Sequence, residues 1–313
     1  MVNSLDGNID VLVISNPAAT GIRKANMDEV KKLYKKTFGD RVSFVESLYE
    51  GHIKEIIMDA NDKVKWIITM GGDGTFGEAF QVFNGIDQNV YYSHIPVGTA
   101  NDTASNLNLP SGDPYISSQM LLDSTLDNYD VDLPTLNGLG FGYVSICGLF
   151  SNIPYDTPKV LKKNLGTNGY YFNALMSSFS IIKDLINKPL HLRYEKDGKI
   201  VEVEALSLIV SNSKTFGGLK LYPNANITDG NMKIAILKKL PFSKANKVLK
   251  ELNSSHFDMN EYDDYIETFD DNEFKVYLEK PIKYIDNDGD KVLVDSNTLD
   301  YKVRGKVKML LPK

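Results

Sequence analysis

The residues best suited to chemistry stand in Gly71-Gly72-Asp73-Gly74-Thr75-Phe76-Gly77-Glu78. An apolar run, Trp66 to Met70, precedes them, and Phe76, Ala79, Phe80 and Phe83 follow at helical spacing. That pattern predicts a strand, a glycine turn and a helix. Thr75 is the expected N-cap of that helix, with Glu78 as its capping-box partner. Glycines let the backbone approach a ligand without Cβ atoms in the way. Such a turn aims free N–H groups and the positive end of a helix dipole outward, a setting that suits phosphate. A carboxylate at Asp73 repels phosphate unless a cation separates them, so the pattern points to a nucleotide bound with Mg²⁺ near Asp73. For the glycines alone, an unliganded tight turn is the simpler reading.

Two other stretches share this placement. Ser93 to Pro96 leads into Val97-Gly98-Thr99-Ala100-Asn101-Asp102, and the strand Val11 to Ser15 leads into Asn16-Pro17-Ala18-Ala19-Thr20-Gly21. Loops that follow parallel strands share one edge of an open sheet, where ligands bind. Three such loops together favour the nucleotide.

The elements that must position these loops alternate over residues 9 to 109. A helix from Asn26, as its cap, to Lys36 with a Gly39 stop, the strand Val42 to Glu46, and the helix His52 to Ala60 come first. The strand Trp66 to Met70, the helix Phe76 to Asn84 and the strand Tyr92 to Pro96 continue the order, which implies parallel strands with right-handed crossovers. Lys31, Lys32, Lys35 and Lys36 read as the solvated face of an amphipathic helix. Arg23-Lys24 could meet nucleotide, anionic membrane or only water.

After a helix from Tyr115 to Leu122 the character changes. Leu126 to Leu133 and Gly140 to Leu149 flank the hairpin signal Asn137-Gly138. Two helices are expected after Pro154, the second from about Tyr170 to Ile186, and another over Phe242 to Leu252. Strands are expected at His191 to Tyr194, Ile200 to Ser211, Asn231 to Lys238, Phe274 to Leu278, Ile282 to Ile285, Lys291 to Val294 and Lys306 to Leu311. Hairpin turns with few crossovers mean antiparallel β, a sandwich. Tyr262 through Asp271 reads as an acidic, solvated loop. The fold class expected is an α/β Rossmann-like domain over 1–125, rejoined by a final strand near 306–313, and a β-sandwich domain over 126–305.

With 313 residues, 42% hydrophobic and 24% charged, the chain has material for two cores. A net charge of −6 argues against nucleic acid as a partner. The single cysteine, Cys147, excludes an intrachain disulfide, fits a reducing compartment and reads as core. No apolar run approaches the ~18 residues of a membrane span, and the N-terminus lacks a signal-peptide pattern. The expectation is a cytoplasmic protein that visits the inner membrane surface if its substrate is a lipid.

GGDGTxxE with PxGTxND, after an NP…G turn, resembles the diacylglycerol kinase catalytic family, which includes bacterial soluble lipid kinases and the sphingosine and ceramide kinases. Lys162-Lys163-Asn164-Leu165-Gly166 with Tyr170, and Gly217-Gly218, Pro223, Ala225 and Asp229-Gly230, are similar to later family segments. NAD kinase shares the GGDG turn, but PxGTxND fits the lipid kinases better.

The resemblance implies an ATP- and Mg²⁺-dependent kinase phosphorylating the hydroxyl of diacylglycerol. A sphingoid base, another lipid alcohol, or a catalytically impaired sensor remain as alternatives. It implies that Gly71, Gly72, Gly74, Thr75, Gly98 and Thr99 cradle phosphates and that Asp73 and Asp102 hold Mg²⁺. Asn101 would anchor its loop, while Asn16, Pro17, Gly21, Ser47 and Glu78 complete the nucleotide site. A structural Mg²⁺ would sit at Asp229. Asp290 falls where the family has a Glu that accepts the proton, in a cleft between domains, with Asp288 as its helper. One methylene shorter, Asp290 loses ~1.5 Å of reach. Gly77 replaces a common Asn, and the Asn16 to Gly21 loop is one residue long. Lys159, Lys162 and Lys163 are candidates for lipid headgroups, His52 reads as structural, and a homodimer is carried as a further partner.

Overall fold

Buried strands alternating with helices open the chain, and long antiparallel strands close it. The computed structural model describes residues 10–99, 101–149, 151, 187–215, 222, 224–241, 244 and 264–313. The helix expected from about Tyr170 to Ile186, together with Lys159, Lys162, Lys163, Asn164, Leu165, Gly166, Gly217, Gly218, Pro223, Tyr262 and Asp263, lies outside them. So does the helix expected over 242–252, apart from Lys244.

The chain divides into two units. One takes the residues up to Leu133 with Leu139–Gly142 and Arg304–Lys313, and the other takes Pro134–Gly138 and Tyr143–Val303.

The first unit contains β1 (Val11–Ser15), α1 (Lys24–Phe38), β2 (Val42–Glu46), α2 (His52–Ala60), β3 (Trp66–Gly71), α3 (Asp73–Phe83) and β4 (Tyr91–Pro96). The short α4 (Ala104–Leu107) and α5 (Pro114–Asp123) follow. β1 pairs with β2 and β3, and β3 with β4, all in parallel. β1 and β3 are buried throughout. Such continuous apolar runs belong to parallel strands covered on both faces. From β1 the chain steps outward to β2 through α1, then back to β3 through α2. Right-handed crossovers taken in opposite directions lie on opposite faces. α1 accordingly packs with α5, and α2 with α3.

Helix starts depart from the expectation where caps were assigned. α1 begins at Lys24 with Arg23 as N-cap, and Asn26 lies inside, its Oδ1 accepting from Arg23 N at 2.8 Å. At α5, Asp113 caps through bonds from Tyr115 N and Ile116 N, with Pro114 in the first turn.

β5 (Leu126–Leu136) turns at Asn137-Gly138, both with positive φ, into β6 (Leu139–Gly140), and β7 (Val144–Gly148) follows. The second unit also contains β8 (Leu190–Lys196), β9 (Lys199–Ser211), β10 (Met232–Lys238), β11 (Ile266–Asp271), β12 (Glu273–Asn287) and β13 (Asp290–Pro312). Its pairings of β9 with β7, β8 and β10, of β10 with β11, and of β12 with β7, β8 and β13 are antiparallel. Asp197-Gly198 and Asp288-Gly289 make the hairpin turns with positive φ at both residues, the backbone that matches strand twist. β13 ends in the first unit, where Met309 pairs with Tyr92 in parallel.

Three strand expectations change, the strands expected at 291–294 and 306–311 being one strand, β13. The acidic stretch is in part a strand: Ile266–Asp271 pairs along β10, and Asp270 forms an ion pair with Lys233. Glu267 and Asp271 share one face of this strand with Phe269, and Asp270 lies on the other, so no simple alternation marks the strand in the sequence. Strands expected separately at 274–278 and 282–285 are one strand with register shifts between Tyr277 and Tyr284, where Pro281 interrupts the ladder.

Cys147 is buried, and burial pushes its thiol up to about 12. Phe274 is 2% exposed and packs against Tyr194 and Phe269, with centroids 5.5 and 5.4 Å away. Phe274→Ala is expected to cost about 3–5 kcal/mol in urea unfolding, and a loss below about 1 kcal/mol would mean this aromatic cluster is not a core.

Candidate functional site

Two glycine turns meet at the carboxyl ends of β3 and β4. Val97 N donates to Gly71 O at 2.7 Å, carrying the ladder one residue past the strands. The backbones then come so close that a Cβ on Gly98 would lie 2.4 Å from Gly72 Cα. A Cβ on Gly71 would lie 2.2 Å from Thr75 Oγ1. Here the sequence needs glycine for space, since neither turn residue has positive φ.

α3 starts earlier than expected. Gly72 is the N-cap, without a side-chain cap, and Gly72 O accepts the first helical bond from Phe76 N at 3.2 Å. Thr75 is therefore inside the first turn and does not cap. Its hydroxyl accepts from Asn16 Nδ2 at 3.2 Å, which joins the first loop to the second. Asn16 Oδ1 accepts from Ala18 N, and Gly21 N donates to Val97 O at 2.8 Å. Thr20 and Thr99 hydroxyls are 3.4 Å apart. Of the expected loop residues, the structure thus brings together Asn16, Gly21, Gly71, Gly72, Thr75, Gly98 and Thr99. Pro17 is exposed, and Gly74 and Glu78 are half-buried on α3.

Asn101 has positive φ, accepts from Gly98 N at 2.6 Å and donates to Gly98 O at 2.8 Å. This side chain closes the second loop on itself. Asp73, at the first position of α3, accepts from both the N and the Oγ1 of Thr103 at 3.0 Å. Burial pushes its carboxyl above the usual carboxylate range, and the N–H groups of Thr103, Asp102 and Asn101 pull partly against that. Asp102 beside it is 4% exposed. Thr103 is a residue the sequence pattern did not single out; its place directly after the Asn-Asp pair was the available signal.

Among the described residues no three His, Cys, Asp or Glu side chains cluster as metal ligands. Mg²⁺ asks less, one or two carboxylates with phosphate and water supplying the rest. Asp73 and Asp102, buried on adjoining turns, fit that requirement, because a cation would relieve the cost of ionising Asp73. Asp229 is placed differently: its Oδ1 accepts from Asn231 N at 2.9 Å and its Oδ2 lies 3.7 Å from Lys233 Nζ.

Behind the turns, Thr69 Oγ1 lies 2.7 Å from Tyr92 OH and 2.8 Å from His94 Nδ1, all fully buried. Burial lowers His94 to about 3, so the ring is neutral. Asp132 is also fully buried and paired with Lys306, a carboxylate that sequence reading missed. Ser47 is 6% exposed, with its N bonded to Ser15 O at 2.9 Å. His52 Nδ1 accepts from Leu48 N at 3.0 Å, in keeping with a structural role.

In the second unit, Asp290 opens β13 opposite Asn287 and is half-exposed. Asp288 is 2% exposed in the turn, and its Oδ1 accepts from Tyr143 N at 2.8 Å and Val144 N at 3.1 Å. Its geometry is that of a clamp between the hairpin and β7, which sets it apart from Asp290.

Residues 10–132 match the diacylglycerol kinase catalytic domain, and residues 169–292 match the YegS C-terminal NAD kinase beta sandwich-like domain. The chain thus carries a domain that matches the diacylglycerol kinase catalytic domain, followed by one that matches a β-sandwich-like domain. A diacylglycerol kinase of Bacillus subtilis (strain 168) is 30% identical over 174 residues, 55% of each chain. One from Staphylococcus haemolyticus (strain JCSC1435) is 28% identical over 234 residues, 70% of this chain and 67% of that one. The chain spans about half the length of most of the curated relatives it matches, 55% and 57% in two cases. The crystal structure of a Bacillus anthracis str. Sterne diacylglycerol kinase covers 96% of both chains with a TM-score of 0.73 at 22% identity, a likeness of fold.

Gly98→Ala is expected to cost about 1–3 kcal/mol in chemical unfolding and to speed amide exchange at Thr103; an unchanged midpoint would mean the two turns are not in contact. For Asp73 the folded carboxyl is raised above 3.8 by burial. Its contribution is fully present below that value and is lost as pH rises through the raised folded pKa. Asp73→Asn keeps the oxygen that Thr103 needs and removes the charge. Stability measured in chelator from about pH 4 to 8 should therefore fall less for the variant than for the parent; parallel curves would refute the buried charge.

Proposed function

We propose that this protein is an ATP- and Mg²⁺-dependent lipid kinase that phosphorylates the hydroxyl of diacylglycerol to give phosphatidic acid. The observation that carries the reading is the meeting of Gly72 and Gly98 above buried Asp73. It gives phosphate a surface of backbone without side chains, with an acid beneath it for a metal. In this reading the first unit is a Rossmann-like nucleotide domain over about 1–125, rejoined near 306–313, and residues 126–305 form the lipid-substrate domain.

Phosphoryl transfer asks a protein chiefly for positioning and charge neutralisation. Gly71, Gly72, Gly74, Thr75, Gly98 and Thr99 line the phosphates. Asn16 and Gly21, which brace the first loop against Thr75 and Val97, hold that surface in place, and Ser47 lies beside it. Asp73 and Asp102 would hold Mg²⁺, which would supply charge neutralisation to the phosphates. Asp290 takes the proton of the acceptor hydroxyl. The freed oxygen forms a bond to the γ-phosphorus, the bond from that phosphorus to the bridging oxygen breaks, and ADP leaves. The similarity to diacylglycerol kinases supports the acceptor, and the shorter Asp290 must reach it through backbone placement or a water. In this reading the protein acts at the inner membrane surface from the cytoplasm.

Transfer of labelled γ-phosphate from ATP to diacylglycerol in mixed micelles tests this reading. The parent is expected to form phosphatidic acid, and Asp290→Asn to slow turnover by about 10²–10⁴-fold. Label on sphingosine alone would move the acceptor to a sphingoid base, and ATP binding with no labelled product would overturn the kinase.

A further inference from the structure

The hairpin that carries Asp290 has an outer face for which the transfer chemistry has no use. Tyr284 on β12 and Leu293 on β13 are direct cross-strand partners. They are 42% and 62% exposed. Single exposed apolar residues are ordinary, but here two large ones adjoin on the ladder that ends at Asn287 and Asp290. Lysines surround the pair. Lys291 Nζ lies 4.4 Å and Lys283 Nζ 5.3 Å from the centre of the Tyr284 ring, and Lys280 is exposed on the same strand.

Asp290 pairs with Asn287 on the opposite face of the ladder from Tyr284 and Leu293, and of the other carboxylates nearby two are buried and two exposed. Asp286 and Asp288 are buried. Glu279 lies 3.7 Å from His191, and Asp295 lies beyond the pair, farther from the turn. A plain solvated face would explain lysines folded over Tyr284, since cations cover aromatic rings. It leaves Leu293, the more exposed of the two, without a cover.

We propose that this face docks on an anionic lipid surface. Tyr284 and Leu293 enter the headgroup layer, where amphipathic rings and short apolar groups are stable. Lys280, Lys283 and Lys291 meet the lipid phosphates. The chain carries −6 overall and is repelled by such a surface, so attraction must come from a local group of cations. The inference rests on the lipid-kinase reading: a chain whose described helices do not cross a membrane must bring its proton acceptor to an alcohol held in the bilayer.

Vesicle flotation without ATP tests it, using phosphatidylcholine alone or mixed with phosphatidylglycerol. The parent should bind the anionic vesicles, less as salt rises. Tyr284→Ser with Leu293→Ser should weaken binding at least about tenfold, and Lys283→Ala about fivefold. Turnover of a water-soluble short-chain diacylglycerol should be unchanged in these variants. Unaltered binding by the double variant, or no binding by the parent, overturns the proposal. So does loss of short-chain turnover in the double variant, which would assign the face to the chemistry. A parent dimer that Leu293→Ser converts to monomer overturns it in favour of a second copy. A parent that phosphorylates no lipid alcohol yet floats through Tyr284 and Leu293 refutes the kinase reading and leaves the docking face standing.

Discussion

The first unit depends on how closely two main chains approach. Gly72 and Gly98 touch through Cα atoms, and a methyl on Gly98 would overlap its neighbour at 2.4 Å. Everything expected of a phosphate-binding edge follows from that approach. It places the start of α3, with its outward N–H groups, beside the second loop. It also brings Asp73 within hydrogen-bond reach of Thr103. Two turns held farther apart would each be an ordinary strand–helix junction.

Asp73 serves two ends that pull against each other. As a hydrogen-bond acceptor it ties α3 to the turn at Thr103, and as a buried acid it resists ionisation. A divalent cation would reconcile the two, because it favours the charged form that burial opposes. The neutral ring of His94, held by Thr69 beneath the same turns, keeps a competing positive charge out of the layer behind them.

In the second unit the corresponding constraint is the Asp288 clamp. Its carboxylate takes two main-chain donors at the start of β7, and its own N–H donates to Val144 O at 2.9 Å. These bonds fix the turn and therefore the origin of β13, where Asp290 stands. Two neighbouring acids of one motif thus stand in different surroundings: Asp288 is buried and bonded to backbone, and Asp290 is half-exposed.

Much of the chain was legible from local pattern. The buried strands, the helix His52–Ala60 and the hairpin turns at Asn137-Gly138 and Asp197-Gly198 follow from hydrophobic period and glycine placement, which are properties of neighbouring residues. The glycine turn between β3 and α3 was legible too, because glycines after an apolar strand run mark a turn. What tertiary structure alone decided was contact at long separation. Thr75 reads as a cap until Asn16, fifty-nine positions away, takes its hydroxyl. Asp288 carries no local sign of the two bonds its carboxylate accepts from Tyr143 N and Val144 N. Asp132 carries no local signature and Thr103 only its place after Asn101-Asp102, since their importance lies in the buried partners they meet. Local sequence fixes the torsional preferences and the period of each element; which polar groups must be satisfied, and by whom, is set only when packing removes water from around them.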